Sequence, residues 1–141
     1  MATMCSPVKC EVTTQQLEKF YEFWETGDET LLEETTSKSL KDHDRNPTAE
    51  GSDYEAILEL GKSLKGLSEM NHNLVQVHYL EEGKVMVRWE ATAKHSGEVF
   101  GYPPTQKTVY FNGHDILKME DGKIKELWHI EQLLQLSYQL Q

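Results

Sequence analysis

The six histidines, at positions 43, 72, 78, 95, 114 and 129, are the first candidates for chemistry. No two stand at the i, i+4 spacing of a helical zinc site and none has cysteine partners, so metal ligation is not expected. In Asp42-His43-Asp44 an imidazole lies between two carboxylates. That pattern orients a ring for proton transfer or grips a cation, and a solvated loop can carry the same tripeptide. His114 beside Asp115 presents the same choice. No serine stands in a nucleophile elbow, so a Ser-His-Asp hydrolase is not supported. The two cysteines, Cys5 and Cys10, sit in a leading segment, residues 1–12, that reads as frayed. Neither a disulfide framework nor a zinc knuckle follows from them.

Any such group needs elements to hold it. Thr13 and Gln16 have capping-box spacing, and Leu17, Phe20, Tyr21 and Trp24 follow at helical intervals before Gly27. Asp28 can cap a short helix bearing Leu31 and Leu32, which runs out in the polar stretch from Thr35 to Ser39. Ser52 and Glu55 form another capping-box pair, opening a helix with Ile57, Leu58, Leu60 and Leu64. From residue 73 the pattern turns extended. Two strands join at Glu82-Gly83, a third spans Thr108 to Met119, and a fourth runs from Ile124 to about Gln132, with an apolar tail to Leu140. Helices first and antiparallel strands after imply an α+β domain whose bent sheet wraps over the amino-terminal helices.

Strand alternation places Val85, Val87, Trp89, Ala91, Ala93 and His95 on one face, taken as the inner one. The same parity groups Ile124, Glu126, Trp128, Ile130 and Gln132, so Trp128 and Gln132 are expected to point the same way. Trp89, Trp128 and Trp24 then surround either an apolar cavity with polar groups at its mouth or a solid core. The residue pattern alone favours the core.

With 141 residues the chain has room for one domain, and 38% hydrophobic residues suffice for one core. Fourteen basic against twenty-four acidic residues give a net charge of −10, which disfavours nucleic acid and anionic membranes as partners. No apolar run is long enough for a membrane span or a signal peptide, so a soluble, cytoplasmic protein is expected.

The motifs Val85-Met86-Val87-Arg88-Trp89, His95-Ser96-Gly97-Glu98, Gly101-Tyr102-Pro103-Pro104-Thr105 and Asp121-Gly122-Lys123-Ile124 occur in that order. Glu126 with Trp128, and Gln139-Leu140, follow them. In this series, in Trp24-Glu25-Thr26-Gly27-Asp28 and in the Asp42-His43 pair, the chain resembles the SnoaL-like polyketide cyclases, or predicted ester cyclases, of the nuclear transport factor 2-like superfamily. The resemblance runs from about residue 17 to residue 140.

The resemblance implies a cone-like α+β barrel with three helices packed in a curved, antiparallel-rich sheet, a hydrophobic pocket and homodimers. It shifts the choice from solid core to cavity. It further implies cofactor-independent ring closure of a small hydrophobic, carbonyl-bearing metabolite, or a related isomerisation, with an acidic residue exchanging protons. The family's Asp lies four residues after the Trp, where this chain has Gln132, an amide that hydrogen-bonds but does not titrate. Glu131, one position earlier, faces the pocket only if a bulge re-aims it.

Candidate catalytic residues are therefore Gln132, His114 and His43, and candidate ligand-binding residues are Trp24, Trp89, His95, Tyr102 and Trp128. His95 joins His43 and His114 as a possible proton carrier, and Tyr102 and Tyr110 are donors to a substrate oxygen or packing residues. The loop from Ser96 to Thr105 is expected at the entrance. No cofactor and no metal is implied. The alternative is a non-catalytic binding or dimeric interaction module that has lost the acid, with Arg88, Glu90 and Thr92 as a candidate dimer face.

Overall fold

The computed structural model describes the backbone of residues 7–141 and the side chains of residues 14–141. Helix α1 runs over Pro7–Thr26. It therefore starts before Thr13, and the Thr13 capping box expected from sequence does not form its amino terminus. Cys5 and the first half of the segment expected to fray lie outside the described residues, as does the Cys10 side chain. Gly27, at φ +69°, stops α1, and Asp28 caps α2, Glu29–Thr35, by accepting from the Thr30 amide at 2.9 Å. Ser52 and Glu55 form a full capping box on α3, Asp53–Ser63.

The sheet has five strands in the order β1-β5-β4-β3-β2: β1 Thr36–Asp42, β2 Leu67–Tyr79, β3 Lys84–His95, β4 Thr108–Glu120 and β5 Lys123–Glu131. Neighbours are antiparallel except β1, which pairs parallel with β5. The α+β class expected from sequence is present, with two additional elements. The polar stretch read as the run-out of α2 is β1. Its burial pattern is irregular because only Thr36 and Leu40 are fully buried. The apolar tail is helix α4, Leu133–Gln139. Gln139 fixes α4 to β4: its Nε2 donates to the Tyr110 carbonyl at 2.6 Å and its Oε1 accepts from the Tyr110 amide at 2.8 Å. Strand β2 begins six residues before the expected point, because a bulge with Glu69 at φ +52° interrupts its alternation.

The inner face of β3 is as the parity predicts: Val85, Val87, Trp89, Ala91, Ala93 and His95 are all buried. The five apolar ones pack with Leu17, Phe20 and Tyr21 of α1 and Tyr54, Ile57 and Leu58 of α3. Strand β5 departs from the prediction. Lys118 pairs with Glu126 but Met119 pairs with Ile124, so Lys125 is an extra residue. The bulge reverses the alternation beyond it: Leu127 is buried, while Ile130 is exposed. Among the described residues no helix is long and apolar enough to cross a membrane.

Candidate active site

Between the helices and the sheet lies a cavity of about 780 Å³, within the range of small-molecule sites. Its inner wall is aromatic, formed by Phe20, Tyr21, Trp24, Trp89 and Phe111. Trp89 packs edge-on to Phe111 at 5.6 Å and to His72 at 5.1 Å. Burial holds the His72 imidazole below its ordinary pKa despite the nearby Glu25 carboxylate.

Asp115 of β4 is buried in this wall. Tyr21 donates to its Oδ2 at 2.6 Å and Trp89 Nε1 donates to the same oxygen at 3.0 Å. Trp89 reaches it because Gly113, opposite on β4, leaves room for the indole: a Cβ there would lie 2.5 Å from Trp89 Cζ2. Oδ1 has no hydrogen-bond partner among the described residues and is not among the enclosed unsatisfied atoms, so it opens on the cavity. Burial pushes the Asp115 carboxyl up to about 7; the Tyr21 bond opposes this, and the Glu131 charge adds to it. Because both donors occupy Oδ2, the proton of the acid form belongs on Oδ1. Burial and the Asp115 charge both raise the Tyr21 pKa, so its phenol remains a donor.

His129 of β5 is the antiparallel partner of Asp115. Its Nδ1 bonds Glu131 Oε1 at 2.6 Å and its Nε2 bonds Asp42 Oδ1 at 3.0 Å. Burial disfavours charge on this ring, but the two carboxylates outweigh it and push the imidazolium up to about 10. At neutral pH His129 is therefore a fixed cation with both N–H groups engaged, unsuited to act as a base. Asp42 and Asp44 are held by their loop. Arg45 bonds Asp53 Oδ1 at 2.6 Å, and the Asp53 Oδ2 accepts from the Asp42 amide at 2.8 Å. These two contacts keep the Asp53 carboxyl below its ordinary pKa.

The residues singled out from sequence divide between two faces. Trp24 and Trp89 line the cavity. Trp128 does not, contrary to expectation: the β5 bulge turns it to the outer face, where it stacks on His43 at 4.3 Å with an interplanar angle of 4°. His43 also contacts Glu126 Oε1 at 2.9 Å. Its amide is clipped to the Leu127 carbonyl, so chain alternation sends Asp42 and Asp44 into the cavity wall and the imidazole away from it. His114 is exposed, because it precedes the inward Asp115 on β4. Gln132 is exposed at the amino terminus of α4, outside the cavity wall and without a side-chain cap bond.

His95 is buried but outside the wall. Its Nδ1 accepts from the Thr105 amide at 3.3 Å and lies 3.0 Å from the Thr105 hydroxyl, which pins the loop of residues 96–105. Tyr102 packs on the core through a bridge to Val99. That bridge closes a turn with Phe100 at φ +51° and Gly101 at φ +84°, which sets Phe100 into the cavity wall. Asp115 and His129 are not among the site residues expected from sequence, whereas Glu131 is expected at the pocket on condition of a bulge, and the β5 bulge meets that condition by turning it into the cavity wall. The signal for Asp115 is its place on the inward parity of β4, one residue after the outward His114. Among the described residues no group of three or more His, Cys, Asp or Glu side chains is arranged to hold a metal ion.

A family model described as SnoaL-like polyketide cyclase matches residues 14–140. Among solved structures, TsrD from Streptomyces laurentii superposes with a TM-score of 0.79 at 20% identity, covering 97% of this chain and 98% of that one. A proposed polyketide cyclase from Bacillus cereus gives 0.78 at 26% identity, covering 96% and 85%. IdmH from Streptomyces antibioticus, also a proposed polyketide cyclase, gives 0.75 at 21% identity, covering 91% and 97%. No curated protein matches the chain.

Proposed function

Because this chain belongs to the SnoaL-like polyketide cyclase family, we propose that it binds a small apolar, carbonyl-bearing metabolite in the cavity and exchanges a proton with it through Asp115. The observation that carries this reading is the asymmetry of that carboxyl: Oδ2 is held by Tyr21 and Trp89, while Oδ1 opens on the cavity. As carboxylate, Oδ1 removes a C–H proton next to the carbonyl, leaving an enolate. As acid, it returns that proton to the alkoxide formed by ring closure, or to another carbon in an isomerisation. A group poised near neutrality serves both halves. Neither half needs a cofactor.

In this reading Trp24 and Trp89 contact the guest, and Asp115 takes the role that the family resemblance assigned to position 132. The test is deuterium exchange at the acidic C–H of 2-tetralone, followed by NMR, with binding followed by calorimetry. Exchange by the wild-type protein should be saturable and should fall about 10²–10⁴-fold in Asp115→Asn, with binding retained. Equal exchange by the variant, or no binding of the ketone, would refute the proposal. Gln132→Asp and Gln132→Ala serve as comparison: a large change in exchange in either would return position 132 to the mechanism.

One observation favours a second reading, a dimeric module. Ile130, Leu133, Leu134 and Tyr138 are large, apolar and exposed near the carboxy terminus. Light scattering of wild type and of Leu134→Glu tests it. A monomer in both would remove it.

A further inference from the structure

Five carboxylates join Asp115 in the cavity wall: Asp42, Asp44, Glu50, Glu59 and Glu131. Among the described residues no lysine or arginine lines it. Arg45, which stands in sequence between Asp44 and Asn46 of the wall, is engaged by Asp53 and by the Ala49 and Gly51 carbonyls. His129 is the cation of the wall, and it is clamped by Asp42 and Glu131, so two carboxylates already answer its one charge. Glu50 and Glu59 are exposed and have no ion-pair partner among the described residues.

The acidic rim is accompanied by an independent feature that points inward. Asp115 is only 6% exposed, and its Oδ1 has no hydrogen-bond partner among the described residues and faces the cavity. The aromatic wall adds to the same sign, because ring faces attract cations. A negative, low-dielectric cleft concentrates positive guests and repels negative ones.

We infer that the cavity selects by charge: its guest is an apolar ring compound bearing an amine, taken up as the ammonium form, and carboxylate-bearing analogues of the same shape are rejected. This rests on the reading of the cavity as a ligand site. Ring atoms lie against the aromatic wall, and the ammonium lies toward the carboxylates of the rim.

A matched series on one skeleton tests it by calorimetry on the full chain: 2-aminotetralin as cation, 2-tetralone as neutral ketone and tetralin-2-carboxylate as anion. The cation should bind at least about tenfold more tightly than the anion at low salt, a difference of about 1.4 kcal/mol. High salt and the Glu50→Gln/Glu59→Gln double variant should each narrow that ratio. If the ketone binds and the anion binds as tightly as the cation, the charge selection is overturned and the ligand site stands. A cation preference that neither salt nor the double variant reduces would overturn the role of the rim. If none of the three binds, the ligand site falls and this inference with it.

Discussion

Asp115 and His129 stand opposite each other across the ladder of β4 and β5, a carboxyl pushed up to about 7 beside an imidazolium pushed up to about 10. The pair has a division of labour. His129 is locked by Asp42 and Glu131 and keeps its proton through the neutral range, whereas Asp115 changes state within it. The fixed positive charge also restrains the rise of the Asp115 pKa.

Ionising Asp115 should cost stability. Its folded pKa lies above the value of about 4 for a free carboxyl, so the folded chain binds more protons than the unfolded chain between those values, and stability falls as pH rises through that window. Asp115→Asn removes this penalty while its amide oxygen still accepts from Tyr21 and Trp89. Denaturant unfolding should show the variant more stable than wild type at pH 8, by at most about 4 kcal/mol, with the difference disappearing near pH 4.

His129 has the opposite sign. Its raised pKa makes its contribution complete below about 6.5 and lost as pH climbs through about 10. His129→Gln leaves Asp42 and Glu131 without their shared cation and should cost about 3 kcal/mol at pH 6. Unfolding curves of the two proteins should converge as the pH approaches 10.

Gly113 sets the Trp89 indole. In Gly113→Ala the new methyl meets Trp89 Cζ2 and the Ile130 carbonyl, at 2.5 and 2.7 Å. Overpacking of this kind costs about 1–3 kcal/mol, measurable as a lowered denaturation midpoint. The displaced indole should also weaken its bond to Asp115, moving the carboxyl titration to higher pH.

Tryptophan quenching separates the two faces. Binding of 2-tetralone should quench Trp24 and Trp89, which line the cavity, and leave the Trp128 emission in place. The ketone-dependent signal should persist in Trp128→Phe and shrink in Trp24→Phe and Trp89→Phe.

Periodicity made part of this architecture legible. The alternation of β3 predicted six buried side chains, and the Ser52–Glu55 spacing located the start of α3. Both features are local, and local spacing encodes them. The cavity wall on β5 was not legible, because one extra residue at Lys125 inverts the parity of everything after it and no residue type announces a bulge. Regular alternation therefore puts Trp128 on the wrong face and hides His129, and Glu131 comes inward only by the bulge on which its expectation depended. Strand β1 was hidden for a different reason: a parallel edge strand made of Thr, Ser and Lys carries little hydrophobic pattern. In the His114-Asp115 dipeptide, strand alternation sends the two side chains to opposite faces, and the inward one is the carboxyl, not the imidazole.

The most direct test is the titration of Asp115 itself, followed by the ¹³C resonance of its carboxyl carbon with and without saturating 2-tetralone. A midpoint near 7 that shifts when the ketone is bound is the predicted result. A midpoint near 4, the value of a free carboxyl, indifferent to the ketone, would contradict the role assigned to Asp115.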